Sequence, residues 1–159
     1  MIRIVEVGPR DGLQNEPNFV PTEAKISFVD ALSETGARDI EVTAFVSPKW
    51  VPQLEDATQV MHGIKQKDGV AYSVLVPNMR GFDRAMEAGV QKIAIFTAAS
   101  EGFNSKNINT SIDGSFKRLA PVVRAAQDAG IAYRGYVSTA FWCPYEGKIS
   151  PEKAADVIE

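Results

Sequence analysis

Ile2-Arg3-Ile4-Val5-Glu6-Val7-Gly8-Pro9-Arg10-Asp11-Gly12-Leu13-Gln14-Asn15-Glu16 holds the residues most able to do chemistry. A cation and an anion stand side by side at Arg10 and Asp11, just after a β-branched run that stops at Gly8-Pro9. Such a run favours an extended, buried segment, and Pro9 cannot donate to a strand ladder, so the strand ends there. Arg10 and Asp11 then sit at a strand's carboxyl end, where α/β proteins place ligand chemistry. The pair suits a metal or an anionic substrate; a turn with a local surface ion pair explains it as well.

Glu41 is the second such residue, inside the otherwise apolar Ile40-Glu41-Val42-Thr43-Ala44-Phe45-Val46. A lone carboxylate in a buried strand is costly unless it meets a cation or donors, and Arg10 on the neighbouring strand is its natural partner. Catalysis and a structural ion pair both fit. His62, the single histidine, falls on a helix away from strand ends and reads as a surface residue. Cys143, the single cysteine, lies in Phe141-Trp142-Cys143-Pro144-Tyr145-Glu146-Gly147 with no evident base or cation, and reads as buried structure. Ser105-Lys106-Asn107-Ile108-Asn109-Thr110-Ser111 precedes a helix, whose amides with Lys106 could hold a phosphate; a capping loop with a solvated lysine is the alternative. Ser47-Pro48-Lys49-Trp50-Val51-Pro52 reads as a stiff loop over the second strand's end.

The elements that position these residues follow a repeat. Four times a polar or helical segment ends at glycine (Gly36, Gly69, Gly89, Gly130) and a β-rich run follows, to Val42, Val76, Phe96 and Val137. Glycine past a helix end accepts the left-handed conformation that closes it. With the first run, five strands alternate with helices. Thr22 is a plausible cap for a helix with Ile26, Val29 and Leu32 on one face; Leu54–Lys65 carries a second stripe; Phe82, Ala85 and Met86 a third. Ile112, Phe116, Leu119, Val122 and Val123 mark a fourth, which Pro121 is expected to kink. Ser150 and Pro151 open a last helix that stops after two or three turns without a C-cap, which reads as a truncated chain.

Alternating strands and helices imply a parallel sheet, either open and doubly wound or closed as a (β/α)₈ barrel. No glycine-rich dinucleotide or Walker sequence follows the first strand. Polar residues gather after every strand: Arg10 and Asp11, Glu41 and Thr43, Asn78, Thr97 with Ser100 and Glu101, Ser138 and Thr139. Sites assembled from many strand ends are the habit of barrels. The expected fold is therefore an α/β TIM (β/α)₈ barrel of which this chain, residues 1–159, supplies one truncated N-terminal domain of about five βα units.

Composition sets the outer limits. The chain has 159 residues, 45% hydrophobic and 23% charged, with a formal net charge of −3. That charge gives no reason to expect nucleic acid or an anionic membrane as partner. A single cysteine excludes an internal disulfide and fits a reducing compartment. No run approaches the ~20 apolar residues of a membrane span, and the first residues leave no room for a leader, so a soluble cytoplasmic protein is expected.

Val7-Gly8-Pro9-Arg10-Asp11-Gly12-Leu13-Gln14-Asn15-Glu16 resembles the signature of the 3-hydroxy-3-methylglutaryl-CoA (HMG-CoA) lyase family, within the pyruvate carboxyltransferase-like, metal-dependent TIM-barrel lyases and synthases. Glu41 to Gln53, Lys106-Asn107-Ile108-Asn109 and Cys143-Pro144-Tyr145-Glu146-Gly147-Lys148-Ile149-Ser150 are similar to further segments of that family. The resemblance implies cleavage of a hydroxyacyl-CoA such as HMG-CoA to acetyl-CoA and acetoacetate, in a homo-oligomer, most simply a dimer. It implies Asp11 as a ligand of Mg²⁺ or Mn²⁺ and Arg10 as the group that contacts the thioester oxygen and stabilises an enolate. Glu41 would orient Arg10, Gln14 would support metal or substrate, and Lys106 and Asn107 would contact CoA. The family's other metal ligands and its catalytic cysteine fall beyond Glu159, so Cys143 does not inherit that role. Ala44 stands where relatives often carry serine. A related synthase using a 2-oxo acid, or a non-catalytic barrel fragment, is the alternative; Leu13-Gln14-Asn15-Glu16 favours the lyase. The chain alone is expected to be inactive and poorly folded, because an unclosed barrel exposes strand edges and apolar faces.

Overall fold

The computed structural model describes residues 2–159. Two compact units are present, Met1–Ile93 and Ala94–Glu159. Four strands, β1 (Asp39–Ala44), β2 (Ala71–Leu75), β3 (Lys92–Ala98) and β4 (Ala132–Ser138), form one sheet in chain order. Helices α1 (Thr22–Ser33), α2 (Ala57–Gly63), α3 (Met79–Glu87), α4 (Glu101–Ile108), α5 (Ile112–Asp128) and α6 (Pro151–Ile158) alternate with them. A two-residue hairpin, β5 (Trp142–Cys143) with β6 (Gly147–Lys148), lies between β4 and α6.

In the first unit β1 and β2 run parallel, with Asp39 opposite Ala71 and Ala44 opposite Leu75. Every residue of β1 is buried, as expected for a parallel strand covered on both faces. The register slips between Glu41, opposite Ser73, and Thr43, opposite Val74. An irregularity of this kind bends the strand and re-aims side chains, here immediately beside Glu41. Val29 of α1, Val60 and Met61 of α2, and Ile40, Val42, Phe45 and Val74 fill the interior of this unit. Gly63 of α2 faces Ile26 of α1, and a Cβ there would crowd the Ile26 side chain.

The first run differs from expectation. Among the described residues Ile2 to Val7 forms no strand, only a parallel bridge between Glu6 and Ile40. Glu6 donates its amide to Asp39 and accepts from Glu41, while Ile2 and Ile4 stay exposed. One bridge with one neighbour does not sustain a ladder. Four strands and this bridged segment therefore stand where five strands were expected.

In the second unit Cys143, Ala99, Ile149 and Ala154 form a small core, with Phe103, Val137 and Ala140 packed against it. Pro121 lies inside α5, which runs from Ile112 to Asp128 without a break in the helix. Thr22 is not a cap. Pro21 holds the N-cap position of α1, and the Thr22 hydroxyl bonds Asp56 instead. All four glycines expected to close helices have positive φ, from 67° at Gly130 to 91° at Gly36.

Candidate active site

The segment after the first run folds into a single π-helical turn, Gly8–Gly12. Val7 carbonyl accepts from both Arg10 and Asp11 amides, and Leu13 amide reaches back to Gly8 carbonyl. Turns of this wide type are rare and often mark functional positions. Gly8 amide donates to Glu6 Oε1 at 2.7 Å. A Cβ on Gly8 would lie 2.9 Å from the same oxygen and would displace that carboxylate from the Gly8 amide. Pro9 is buried and fixes the backbone at the start of the turn.

That turn brings Arg10, Asp11 and Glu41 together. Arg10 Nε donates to Glu41 Oε1 at 2.6 Å and Arg10 Nη1 to Asp11 Oδ1 at 2.6 Å. The guanidinium is largely buried, Glu41 wholly so, and Asp11 is 56% exposed. The pairing of Arg10 with Glu41 expected from the sequence is thus present. Glu41 fixes the inner edge of the guanidinium plane, and a planar fork held at one edge keeps its remaining N–H groups in a set direction. Nη2 of Arg10 has no protein acceptor among the described residues. The cluster keeps one formal negative charge, and its exposed member is a carboxylate.

Asp11 fits one position in the oxygen shell of a hard divalent cation, which takes six or more ligands. Among the described residues no group of three His, Cys, Asp or Glu side chains could hold a metal by itself. Gln14 lies half-buried one turn after Asp11, and Asn15 Nδ2 donates to the Asp11 carbonyl at 2.7 Å, which holds that turn shut. Glu6 was not singled out in the sequence, where it reads as one polar position in an alternating strand. His62 is exposed on α2, as expected.

Lys106 and Asn107 belong to the second unit. They do not lie in a loop before a helix but in the last turn of α4, both exposed. The amides at the start of α5 are already taken: Ser111 Oγ accepts from Gly114, and Glu101 Oε2 accepts from Ile112. That leaves the predicted phosphate cradle with protein partners in place. Several strand-end polar residues likewise serve as caps, Asn78 for α3 and Ser100 for α4.

Cys143 is fully buried on β5. Burial pushes its thiol up, but hydrogen bonds from the Ser100 hydroxyl at 3.0 Å and the Tyr145 and Glu146 amides outweigh this and leave it below the usual thiol range. In the same unit Glu146 is held below the usual carboxylate range by the Gly102 amide and by Lys153.

Among proteins of known function, the chain is 58% identical over 158 residues to the mitochondrial hydroxymethylglutaryl-CoA lyase of Homo sapiens, covering 99% of this chain and 49% of that protein. It superposes on the HMG-CoA lyase of Brucella melitensis with a TM-score of 0.96 at 54% identity, covering 99% of this chain and 56% of that one. For an HMG-CoA lyase of Acinetobacter baumannii in complex with coenzyme A and 3-methylmalate, the TM-score is 0.93 at 37% identity, over 99% and 52% of the two chains. The chain thus spans about half the length of the relatives it matches, and its four-stranded sheet corresponds to the N-terminal part of their TIM barrel. Residues 1–159 match the HMGL-like family throughout, and the chain belongs to that family.

Proposed function

We propose that the protein carrying this chain is a divalent-metal-dependent carbon–carbon lyase that cleaves HMG-CoA, or a close hydroxyacyl-CoA, to acetyl-CoA and acetoacetate. The observation that carries this reading is the clamped guanidinium of Arg10, held by buried Glu41 with Asp11 beside it. Breaking the bond between C2 and C3 of the acyl group leaves negative charge on the thioester carbonyl. A fixed cation with an unspent N–H group at that oxygen stabilises the charge without reorganising. Glu41 acts through Arg10 and keeps the fork from turning away. Asp11 would hold a Mg²⁺ or Mn²⁺ ion, which when bound favours loss of the proton from the tertiary hydroxyl. Gln14 is positioned one turn away to support the same region. Lys106 and Asn107, exposed at the end of α4, are the proposed contacts to CoA, the ligand present in the Acinetobacter relative.

No helix among the described residues is long and apolar enough to cross a membrane. A cytoplasmic human relative also matches, at 55% identity, and we place this protein in the same compartment, as a homodimer.

Acetyl-CoA release by the full-length protein, measured with HMG-CoA before and after EDTA treatment, tests the reading. Activity should vanish with EDTA and return with Mg²⁺ or Mn²⁺. Turnover that survives chelation rejects the role of Asp11. Condensation of acetyl-CoA with 2-oxo acids, without HMG-CoA cleavage, would assign a synthase instead.

A further inference from the structure

Lys25 and Asp56 form an ion pair inside the first unit. Lys25 is 3% and Asp56 5% exposed, and Lys25 Nζ lies 2.7 Å from Asp56 Oδ1. The ammonium also donates to the Gln53 carbonyl and sits 4.3 Å from the centre of the Phe19 ring. Thr22 Oγ1 donates to the other carboxylate oxygen of Asp56 at 2.7 Å. Asp56 holds the N-cap position of α2, where aspartate ordinarily accepts from its own helix, yet its side chain makes no such bond. The carboxylate is given over to α1.

Two buried charges are a poor source of stability, since desolvation cancels most of the attraction. What the pair does is join particular segments. Phe19 and Glu16 follow the Arg10–Asp11 turn, and Gln53 and Asp56 follow β1, which carries Glu41. Gln53 Nε2 adds a bond to the Glu16 carbonyl. One turn beyond Lys25, the Phe28 ring lies 3.5 Å from the position a Cβ on Gly8 would occupy, against the floor of the π-helical turn. Lys25 therefore fixes how α1 sits on α2, and α1 braces the turn that presents Arg10 and Asp11.

We propose that Lys25, with Asp56 and Gln53, is a positioning residue for the Arg10–Asp11 turn, acting through α1 and the Glu16–Phe19 segment. The proposal rests on the lyase reading for its kinetic consequence, and the structural part stands apart from it. The test uses the full-length protein carrying Lys25→Met with Asp56→Asn, which removes both charges at similar volume and leaves an oxygen to accept from Thr22. Replacing a buried pair in this way leaves stability near the starting value, so melting should shift by only a few degrees. Against that, kcat should fall about 10-fold or more with KM changed less than about 3-fold, and amide exchange over residues 12–20 should quicken about 10-fold while β1 and β2 stay protected. Lys25→Arg should recover part of the lost kcat. Should the double variant not fold, Gln53→Ala, which removes only the half-buried amide linked to Glu16, should still lower kcat about 3-fold and quicken exchange over residues 12–20. Variants that fold with unchanged kcat and unchanged exchange there overturn the proposal. If the wild-type protein does not cleave HMG-CoA, the lyase reading fails by itself, and exchange over residues 12–20 alone decides the role of Lys25.

Discussion

At the scale of single residues, the proposed chemistry rests on how one guanidinium is shared. Arg10 spends Nε on a carboxylate that water does not reach and Nη1 on one that it does. Lysine cannot reproduce this, because a single ammonium has no fixed fork. Arg10→Gln ends where Nε sits, and so loses the charge and the outer N–H groups of the fork, including the one on Asp11. In the full-length protein we expect it to lower kcat for HMG-CoA cleavage by about 10²–10³-fold with little change in KM, the pattern of an interaction made mainly in the transition state. A variant that raised KM and spared kcat would show that Arg10 only binds substrate. The residues of this cluster were legible in the sequence because a carboxylate in an apolar strand and a charged pair after a strand are both expensive unless matched. Glu6 was not legible. Its carboxylate bonds a main-chain amide two residues on, and an alternating strand pattern marks no such use. Lys25 was hidden for a related reason: at one position of an amphipathic helix, a lysine reads as solvated.

At the scale of elements, glycine punctuation was the reliable signal. Gly36, Gly69, Gly89 and Gly130 each sit in the left-handed region between a helix and a strand, a requirement of the backbone itself. Elements that depend on distant partners were not visible. Polar α4 has no apolar stripe; it is held by the Ser100 cap and by buried Asn104, whose amide donates to Thr97 Oγ1. Residues Ile2 to Val7 have strand composition, but composition cannot supply a second neighbour. The polar residues after the strands overstated the chemistry, since Asn78 and Ser100 are consumed as caps. The amino end of β1 carries a structural charge cluster, in which buried Asp39 pairs with Lys92 and Arg3. Burial pushes the Asp39 carboxyl up, while Lys92 and Arg3 pull it down further, and the outcome is below the usual carboxylate range. A group depressed in the folded state contributes stability above its unfolded pKa of about 3.9 and loses it as pH falls through the folded value. Asp39→Asn should therefore cost about 2 kcal/mol at pH 7 and progressively less below about pH 4. Urea unfolding of both proteins at pH 7 and pH 3 measures the gap; a gap that stays constant with pH would remove Asp39 as its source.

At the scale of the whole molecule, ligand count sets what these 159 residues can do. The chain spans about half the length of its relatives, and Asp11 is its one metal-ligand candidate, with no qualifying cluster among the described residues. A hard divalent cation needs about six oxygen donors, and weak extracellular sites with a fuller complement still bind only in the 10⁻⁴–10⁻³ M range. One carboxylate, already shared with Arg10, must bind more weakly than that. Large apolar side chains also face solvent, with Ile2 92%, Trp50 85% and Phe141 88% exposed, and apolar surface of this kind drives association. We expect residues 1–159, prepared alone, to bind Mn²⁺ with a Kd above about 1 mM, to release no acetyl-CoA from HMG-CoA, and to self-associate. Calorimetric titration with Mn²⁺, the cleavage assay and sedimentation check the three parts. Asp11→Asn should leave the weak titration unchanged in this polypeptide, yet abolish metal-dependent turnover in the full-length protein. A micromolar Mn²⁺ site in residues 1–159 that Asp11→Asn removes would mean that the turn after the first run completes a metal site by itself, and the assignment of the remaining ligands to other parts of the protein would fall.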